Sequence, residues 1–311
     1  MTTPTLSSIT APPRGRVSSY GRPGETDMTS RFILKLSCPD RSGIVHAVTG
    51  YLLAQGGNIL TSAQHLDPDH NRFFMRIEFE TSSEAAPMRE AFAPLAAQMQ
   101  MDWELVARAE KTRVLLLVSK LGHCLNDLLF RVQTGHLPIE IPAIVSNHRD
   151  FYQLAASHNI PFHHFPLLNS TEEQKAAQER RIREVVEQER IDLVVLARYM
   201  QILSPEICEF LSGRAINIHH SFLPSFKGAK PYHQAYERGV KLIGATAHYV
   251  TSHLDEGPII EQEVARIDHS LPPEQLVAMG RDVECVTLAR AIQWHAEHRV
   301  LMNGNRTVVF R

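Results

Sequence analysis

The chain of 311 residues is long enough for two domains, and its hydrophobic content of 43% is ordinary for a globular protein. Its 32 basic and 34 acidic side chains nearly cancel, which argues against nucleic acid as a partner. No apolar run reaches the length of about 18 residues that a membrane helix requires, so no membrane partner is expected either. A small molecule is therefore the expected partner.

The N-terminal residues 1–30 are predicted to form a disordered tail. They are rich in Thr, Pro, Ser and Gly, carry little apolar surface, and lack the hydrophobic segment of a secretory signal. The 4 cysteines are far apart and have no metal-binding or redox spacing, which indicates reduced thiols. These features predict a cytoplasmic protein.

Residues 31–111 are predicted to form one small domain with the element order βαββαβ. Alternating apolar residues indicate strands over 31–37, 58–66 and 72–80, with a last strand over 101–108. Apolar residues at helical spacing indicate helices over 44–53 and 84–99. This order is that of a ferredoxin-like unit.

Residues 112–311 are predicted to form a second domain in which strands and helices alternate. An uninterrupted apolar run over 114–118 is typical of a strand buried on both faces. Further strands are expected over 141–145, 193–197 and 215–219, and helices near 123–134, 151–157 and 171–189. This α/β alternation predicts a doubly wound, mostly parallel sheet, which binds ligands beyond the carboxyl ends of its strands. The chain is expected to end in a hairpin over 300–310 that turns at Asn303 and Gly304.

Two polar side chains stand at the end of the predicted strand 215–219. Asn217 and His219 are two positions apart, so they point to the same face, while Ile216 and Ile218 point to the other face and into the core. Asn is depleted in strands because its amide competes for backbone partners. The pair could belong to a functional site, or His219 could be an ordinary histidine at a strand end. Spacing alone does not separate these two interpretations.

Several segments in a fixed order resemble the folate-dependent formyltransferase family. They are N-x-H-H-S-F-L-P over 217–224, K-G-A-K-P-Y-H over 227–233, G-A-T-A-H-Y-V over 244–250, L-D-E-G-P-I-I over 254–260 and L-A-R-Y-M-Q-I-L-S over 196–204. The 36 positions between His219 and Asp255 also match the family's separation. The resemblance covers about residues 112 to 300, and it implies catalytic roles for Asn217, His219 and Asp255. It also implies that folate is bound by Met200, Gln201, Ile202, Leu203, Thr251 and Leu254.

Formyl transfer passes through a tetrahedral intermediate that carries an oxyanion. Asn217 and His219 can each donate an N–H to that oxygen, and one such donor is typically worth ~2.7–4 kcal/mol of barrier. Asp255 can orient a water, take its proton or tune His219. The alternative for Asp255 is a turn residue before Gly257 and Pro258.

The loop over 119–124 argues for water as the formyl acceptor. In this family's transformylases the corresponding loop is rich in Gly and Ser and binds a phosphorylated amine, whereas here it reads S-K-L-G-H-C. The resemblance then implies hydrolysis of 10-formyltetrahydrofolate to formate and tetrahydrofolate, which balances the folate pool and supplies formate for purine synthesis. The alternatives are transfer to an amine and a non-catalytic, folate-binding regulator. His248 and the loop around Lys227 are candidate walls that hold the water.

A metal centre is not expected, and no other cofactor is implied. The sequence holds 17 histidines but no H-E-x-x-H motif. The adjacent pairs at 163–164 and 219–220 would lie on opposite faces of a strand, which makes a poor chelate.

The predicted front domain resembles an ACT domain, a family of amino-acid sensors. The segments P-D-R-S-G over 39–43 and G-G-N-I over 56–59 carry the resemblance. It implies an amino-acid effector, for which we expect glycine or methionine, and a homo-oligomer formed through edge strands. The effector-binding residues would be Asp40, Arg41, Gly43, Gly57, Asn58 and Ile59. The alternative is that Asp40 and Gly43 only end a strand and start a helix.

Overall fold

The computed structural model describes residues 29–167, 171–223 and 231–311. Most of the predicted tail and the loop around Lys227 lie outside these residues. Ser30, which we assigned to the tail, already belongs to the first strand.

The front part of the chain forms an antiparallel sheet with two helices. Its elements are β1 (Ser30–Pro39), α1 (Ile44–Ala54), β2 (Asn58–Asp67), β3 (Arg72–Thr81), α2 (Ala85–Gln98) and β4 (Asp102–Ala107). The strand order is β2-β3-β1-β4, and every neighbouring pair is antiparallel. The predicted ferredoxin-like arrangement is therefore confirmed, whereas its assignment as an ACT domain stays a prediction.

Local sequence explains how this unit packs. Ile44, Val48 and Leu52 recur every four positions, so they form one buried stripe of α1. Gly43 precedes the helix with a φ of 91°, in the left-handed region that favours glycine. Strand β3 is buried on both faces, because Phe79 packs towards the helices and Phe74 packs against the C-terminal hairpin.

The second part of the chain forms a seven-stranded sheet in the order β11-β10-β9-β8-β5-β6-β7. Strands β5 to β9 are parallel, and β10 and β11 continue the sheet antiparallel, which confirms the mostly parallel prediction. The strands are β5 (Thr112–Val118), β6 (Ile139–Ser146), β7 (Phe162–His164), β8 (Leu193–Leu196), β9 (Ala215–His219), β10 (Leu242–Tyr249) and β11 (Ile259–Arg266). The helices are α3 (His123–Gln133), α4 (Tyr152–Ser157), α5 (Glu172–Gln188), α6 (Pro205–Phe210), α7 (Pro231–Glu237) and α8 (Pro273–Ala296).

The chain ends in the predicted hairpin, β12 (Val300–Asn303) and β13 (Arg306–Val309). Its turn is formed by Gly304 and Asn305, one residue later than we predicted, because Asn303 still pairs with Arg306. Gly304 has a φ of 62°, which suits a two-residue hairpin turn.

The carboxyl ends of the central strands meet at one edge of the sheet. The chain leaves β5 towards β6 on one side and returns to β8 on the other, which makes a topological switch point between β5 and β8. Ser119, directly after β5, accepts from the main-chain N–H of Met200 at 3.0 Å and donates to Asn147 at 2.7 Å. It therefore ties together the loops that follow β5, β6 and β8.

Candidate active site

Three side chains from distant parts of the sequence converge at the end of β9. Asn217 and His219 lie on one face of this strand, and Ile216 and Ile218 are buried on the other face, as alternation predicts. Asp255 comes from the loop between β10 and β11, and its Oδ1 lies 3.2 Å from His219 Nδ1. The structure thus brings the carboxylate within hydrogen-bond reach of the imidazole.

His248 on the neighbouring strand β10 completes this group. It pairs in register with Asn217, whose Nδ2 lies 3.3 Å from His248 Nε2. His248 Nδ1 is 2.9 Å from the carbonyl of Tyr249, which can only accept, so Nδ1 carries the proton and Nε2 accepts from Asn217. The imidazole therefore orients the amide of Asn217.

Electrostatics favour a charged Asp255 carboxylate beside a neutral His248. The hydrogen bond from His219 lowers the pKa of Asp255 and outweighs partial burial, which acts to raise it. Burial lowers the pKa of His248, which favours its neutral form. His219 Nε2 is buried and has no hydrogen-bond partner among the described residues. With Nδ1 held by Asp255, it is the ring nitrogen left for a substrate.

Two residues at this site adopt left-handed backbone conformations. Asp255 has a φ of 56° and Arg198 a φ of 64°. Asp tolerates this region because its short side chain bonds locally, but for Arg it is uncommon and costs on the order of 1–3 kcal/mol. Such strain is typical of residues that a surrounding structure holds in place for function.

A cavity of about 250 Å³ opens beside this group. Asn217, His219 and Asp255 line it together with the six residues predicted to bind folate, which are Met200, Gln201, Ile202, Leu203, Thr251 and Leu254. Met200, Ile202 and Leu254 are 55%, 68% and 59% exposed, so an apolar wall faces solvent at the cavity mouth. This wall suits a flat, partly apolar ligand.

Arg198 and His220 also line the cavity, and no pattern in the sequence predicts a role for either. Burial lowers the pKa of His220 to about 4, and the nearby charge of Arg198 adds to this effect. The contact of His248 with Asn217 was not predicted either, although His248 was expected to form a wall around the water. The alternation of Thr246 and His248 with Ala247 and Tyr249 is a strand signal that could have revealed it.

The described residues contain one group of side chains with the composition and spacing of a metal site. The ligand atoms of His123, Cys124 and Glu284 lie within 4.8 Å of one another. Arg198 Nε is 3.4 Å from the Glu284 carboxylate, and a cation so close disfavours a second one. Across 29–167, 171–223 and 231–311, the helices are all too short or too polar to cross a membrane.

The structure separates the two segments predicted to bind an amino-acid effector. The turn with Asp40, Arg41 and Gly43 follows the β1 end that pairs Pro39 with Arg72, whereas Asn58 pairs with Glu80 near the other end of β3. Gly57 and Ile59 adjoin Asn58. Within one chain the two segments therefore lie at opposite ends of the front sheet.

Comparison with known proteins shows which family has this fold and site. The model of the family described as formyl transferase matches residues 112–292, which contain the whole sheet from β5 to β11 and the converging side chains. The chain therefore belongs to the formyl transferase family.

Within this family the chain belongs with the formyltetrahydrofolate deformylases. It is 51% identical to the formyltetrahydrofolate deformylase of Corynebacterium sp. (strain P-1) over 286 residues, which cover 90% of this chain and 98% of the relative. The crystal structure of the deformylase from Burkholderia mallei superposes with a TM-score of 0.87 at 53% identity, covering 91% of this chain and 100% of that chain. Matches of this extent include the front sheet.

A second group of solved structures matches about two thirds of the chain. Glycinamide ribonucleotide transformylase 1 from Symbiobacterium toebii superposes with a TM-score of 0.59 at 30% identity, covering 65% of this chain and 95% of that chain. The same catalytic sheet is therefore found in proteins named for transfer to an amine and in proteins named for deformylation.

Proposed function

We propose that this chain hydrolyses 10-formyltetrahydrofolate to formate and tetrahydrofolate. The observation that carries the proposal is the contact of His219 Nδ1 with Asp255 Oδ1 at 3.2 Å, beside an exposed apolar wall. The relatives named formyltetrahydrofolate deformylase, which match along almost their whole length, support the same reaction.

In the reaction we propose, a water oxygen bonds to the formyl carbon and the bond between that carbon and N10 breaks. His219, paired with the Asp255 carboxylate, takes a proton from the water at Nε2 and returns it to N10. Asn217, oriented by His248, donates its second amide N–H to the oxyanion of the tetrahedral intermediate. The products are formate and tetrahydrofolate, and no metal or other cofactor has a step in this scheme.

The six residues of the cavity wall would hold the folate. Residues 200–203, Thr251 and Leu254 all line the cavity, and main-chain groups of 201–203 would bind the pterin ring. Substituting Leu254→Ala should raise KM for 10-formyltetrahydrofolate more than it lowers kcat, because it removes ground-state contacts distant from the reacting atoms. A fall in kcat with unchanged KM would contradict this assignment.

One assay tests the reaction against its two alternatives. Purified protein is incubated with 10-formyltetrahydrofolate without an amine, and formate is measured. We expect release that Asp255→Asn reduces by about 10²–10⁴-fold, since the carboxylate supports proton transfer. Release only after an amine is added would mean transfer, and no release at all would leave a folate-binding regulator.

We propose that the front unit is an ACT domain that binds an amino-acid effector, glycine or methionine. The turn that leads through Gly43 into α1 supports a carboxylate site, because the first N–H groups of a helix attract anions. Since the two effector segments lie at opposite ends of the sheet, one ligand would bridge two chains. Isothermal titration with both amino acids tests this, and no binding of either would reject it.

A homo-oligomer formed through the front sheets would bring the turn around Gly43 of one chain close to the segment around Asn58 of another. Strand β2 is an edge strand of 10 residues that is exposed along almost all its length, including Ile59, Leu60 and Leu66. An edge of this kind is a template for pairing with another chain. Analytical ultracentrifugation should show a dimer or larger species, which Leu60→Lys should weaken, and a monomer at all concentrations would contradict it.

We also propose that the protein works in the cytoplasm. All four cysteines are free thiols, and Cys38, Cys124 and Cys208 are buried. Free buried thiols suit a reducing compartment. Fractionation of cells that express the tagged full-length chain would test this location.

A further inference from the structure

A buried polar cluster surrounds the carboxylate of Glu284, next to the cavity. We call it the Glu284 cluster, and it consists of His123, Arg198, Tyr232 and Glu284. Glu284 is 1% exposed and lies in the middle of α8. Tyr232 donates its hydroxyl to Oε1 at 2.7 Å, while His123 Nε2 lies 2.7 Å and Arg198 Nε 3.4 Å from Oε2. The proposed hydrolysis uses none of these groups in a chemical step.

The cluster borders the proposed catalytic group directly. Arg198 and His220 both line the cavity. The ring of His220 lies close to those of His219 and Tyr232, with centroid distances of 5.1 and 6.4 Å. The Glu284 cluster therefore closes the active site on the side beyond His220, whereas the apolar folate wall lies around 200–203 and 251–254.

The same cluster adjoins the place where this fold usually binds an anion. In doubly wound sheets a phosphate group binds at the N-terminus of the helix that follows a central strand. Here that helix is α3, which follows β5, and Glu284 lies within 4.8 Å of ligand atoms on its first two residues, His123 and Cys124. The chain has brought its own carboxylate to the first turn of α3.

The carboxylate is charged and held in a dry surrounding. Burial acts to raise the pKa of Glu284, but the hydrogen bond from His123 and the charge of Arg198 outweigh it, so the pKa is lowered. The positive and donor groups near the first turn of α3, Arg198 and His123, are already paired with Glu284. A phosphate dianion brought to the same turn would have to compete with this carboxylate for those partners, with little water between the two negative groups. This competition disfavours binding and excludes the wrong partner.

Two glycines fix the packing around the cluster. A Cβ at Gly280, one turn before Glu284 on α8, would overlap the ring of Tyr232, so only glycine admits that ring. A Cβ at Gly122, directly before His123, would overlap the ring of Phe151. The loop after β5 is therefore packed against an aromatic side chain.

We propose that the Glu284 cluster is the specificity determinant that closes the acceptor side of this active site to phosphorylated amines and leaves water as the formyl acceptor. This inference rests on the proposed hydrolysis. It explains why a sheet that this chain shares with transformylases would support hydrolysis and not transfer to an amine. The transformylase relative, with the same sheet at a TM-score of 0.59, carries the name of the other reaction.

The test is direct binding of a phosphorylated amine, phosphoribosylglycinamide, measured by isothermal titration with the full-length protein. The variant is Glu284→Gln, which keeps the shape and the acceptor oxygen but removes the charge. The matched control is Glu263→Gln, which removes an exposed carboxylate that pairs with Arg290 on the same helix at 2.6 Å. We expect no detectable binding by the wild type or the control, and binding by Glu284→Gln with a Kd at least about tenfold below the weakest Kd that the titration can detect.

Two results would overturn the proposal. One is wild-type binding of the amine as tight as that of Glu284→Gln, and the other is no binding by a folded Glu284→Gln variant. If circular dichroism shows that Glu284→Gln does not fold, the double variant Glu284→Met with Tyr232→Phe replaces it. This variant removes the charge of Glu284 together with the Tyr232 hydroxyl that donates to it.

Formate release without amine is measured on the same samples. If the wild type releases none, the proposed hydrolysis fails, while the titration still reports whether Glu284 excludes the amine. If the wild type releases formate and added amine does not slow it, both proposals are supported. Slowing of the wild type by the amine would contradict only the exclusion.

Discussion

Gly257 packs directly against the main-chain carbonyl of Tyr249, so closely that a Cβ at this position would overlap the carbonyl oxygen. The main-chain N–H of Tyr249 also donates to the carbonyl of Pro258 at 2.9 Å. These contacts fix the loop that carries Asp255 onto the strand that carries His248. The position of the carboxylate therefore depends on a residue with no side chain.

Substituting Gly257→Ala should displace this loop and with it Asp255. Overpacking of a tight site costs about 1–3 kcal/mol of stability. A displacement of about 1 Å at a catalytic group can lower activity about 10²-fold, and we expect a loss of that order. Urea unfolding and formate release from 10-formyltetrahydrofolate measure the two effects.

The matched control is Gly50→Ala in α1, where nothing lies within 4 Å of the added Cβ. It should raise stability by about 0.5–1 kcal/mol, because alanine favours a helix interior, and leave formate release unchanged. Wild-type activity in Gly257→Ala would mean that the loop adapts and that Asp255 does not depend on this contact.

Asn217 is expected to act on the transition state rather than on folate binding. Removal of one oxyanion donor typically lowers kcat about 10²–10³-fold. Asn217→Ala should therefore lower kcat for formate release by that factor with little change in KM. Asn126→Ala, at an exposed position of α3, is the control and should behave as the wild type. A raised KM with normal kcat would move Asn217 to substrate binding.

Local pattern was enough for much of this fold. The front βαββαβ unit and the strands from β5 to β9 other than β7 have clear periodicity, so their positions could be predicted within a few residues. The antiparallel strands β10 and β11 and the helix α8 were not predicted. Helix α8 buries Gly280, Glu284 and Thr287 among its apolar residues, so it has no clean apolar stripe to recognise.

The candidate site was predictable in part for the same reason. Asn217 and His219 are neighbours on one strand, which alternation reveals, whereas Asp255 was linked to them only through a family resemblance. The partners of Glu284 come from α3, the loop after β8 and α7, and no local pattern connects residues 123, 198 and 232 with 284. Such contacts arise from tertiary packing, which a single sequence does not encode in any spacing.

Arg76 joins the front sheet to the second unit. It is 4% exposed, and its Nε and one terminal nitrogen donate to the carbonyl of Glu297 at 3.2 and 3.0 Å. Lysine keeps the charge but not the planar fork, so Arg76→Lys should lower the free energy of unfolding by about 1 kcal/mol. Hydrogen exchange should speed up in the hairpin of β12 and β13, which packs on β3 through Phe74.

Arg89→Lys is the control for this substitution, because Arg89 makes the same double contact to the carbonyl of Leu105 inside the front unit, at 3.0 and 2.8 Å. It should cost similar stability without faster exchange in the hairpin. Equal exchange in the two variants would mean that Arg76 does not couple the units.

His295 should make the protein less stable in mild acid. The hydroxyl of Tyr249 lies 2.7 Å from His295 Nδ1, to which it can donate when this nitrogen carries no proton. Burial lowers the pKa of His295 to about 3, with the charges of Lys35 and His298 acting in the same direction and Glu104 opposing them. The unfolded chain, with a histidine pKa of about 6.5, binds this proton first. Stability from the neutral ring is therefore fully present above about pH 6.5 and is lost as the pH falls towards about 3, by at most about 1.4 kcal/mol per pH unit.

His295→Gln removes this titration and keeps an acceptor for Tyr249, so its free energy of unfolding should fall less steeply between about pH 6.5 and about pH 4. Part of the slope should remain, because the pKa of His220 is also lowered by burial, to about 4. His46→Gln, at an exposed position of α1, should retain the full wild-type slope. Urea unfolding across this pH range gives the free energy of unfolding of all three proteins. Parallel plots of this free energy against pH for wild type and His295→Gln would show that protonation of this ring does not cause the loss of stability in acid.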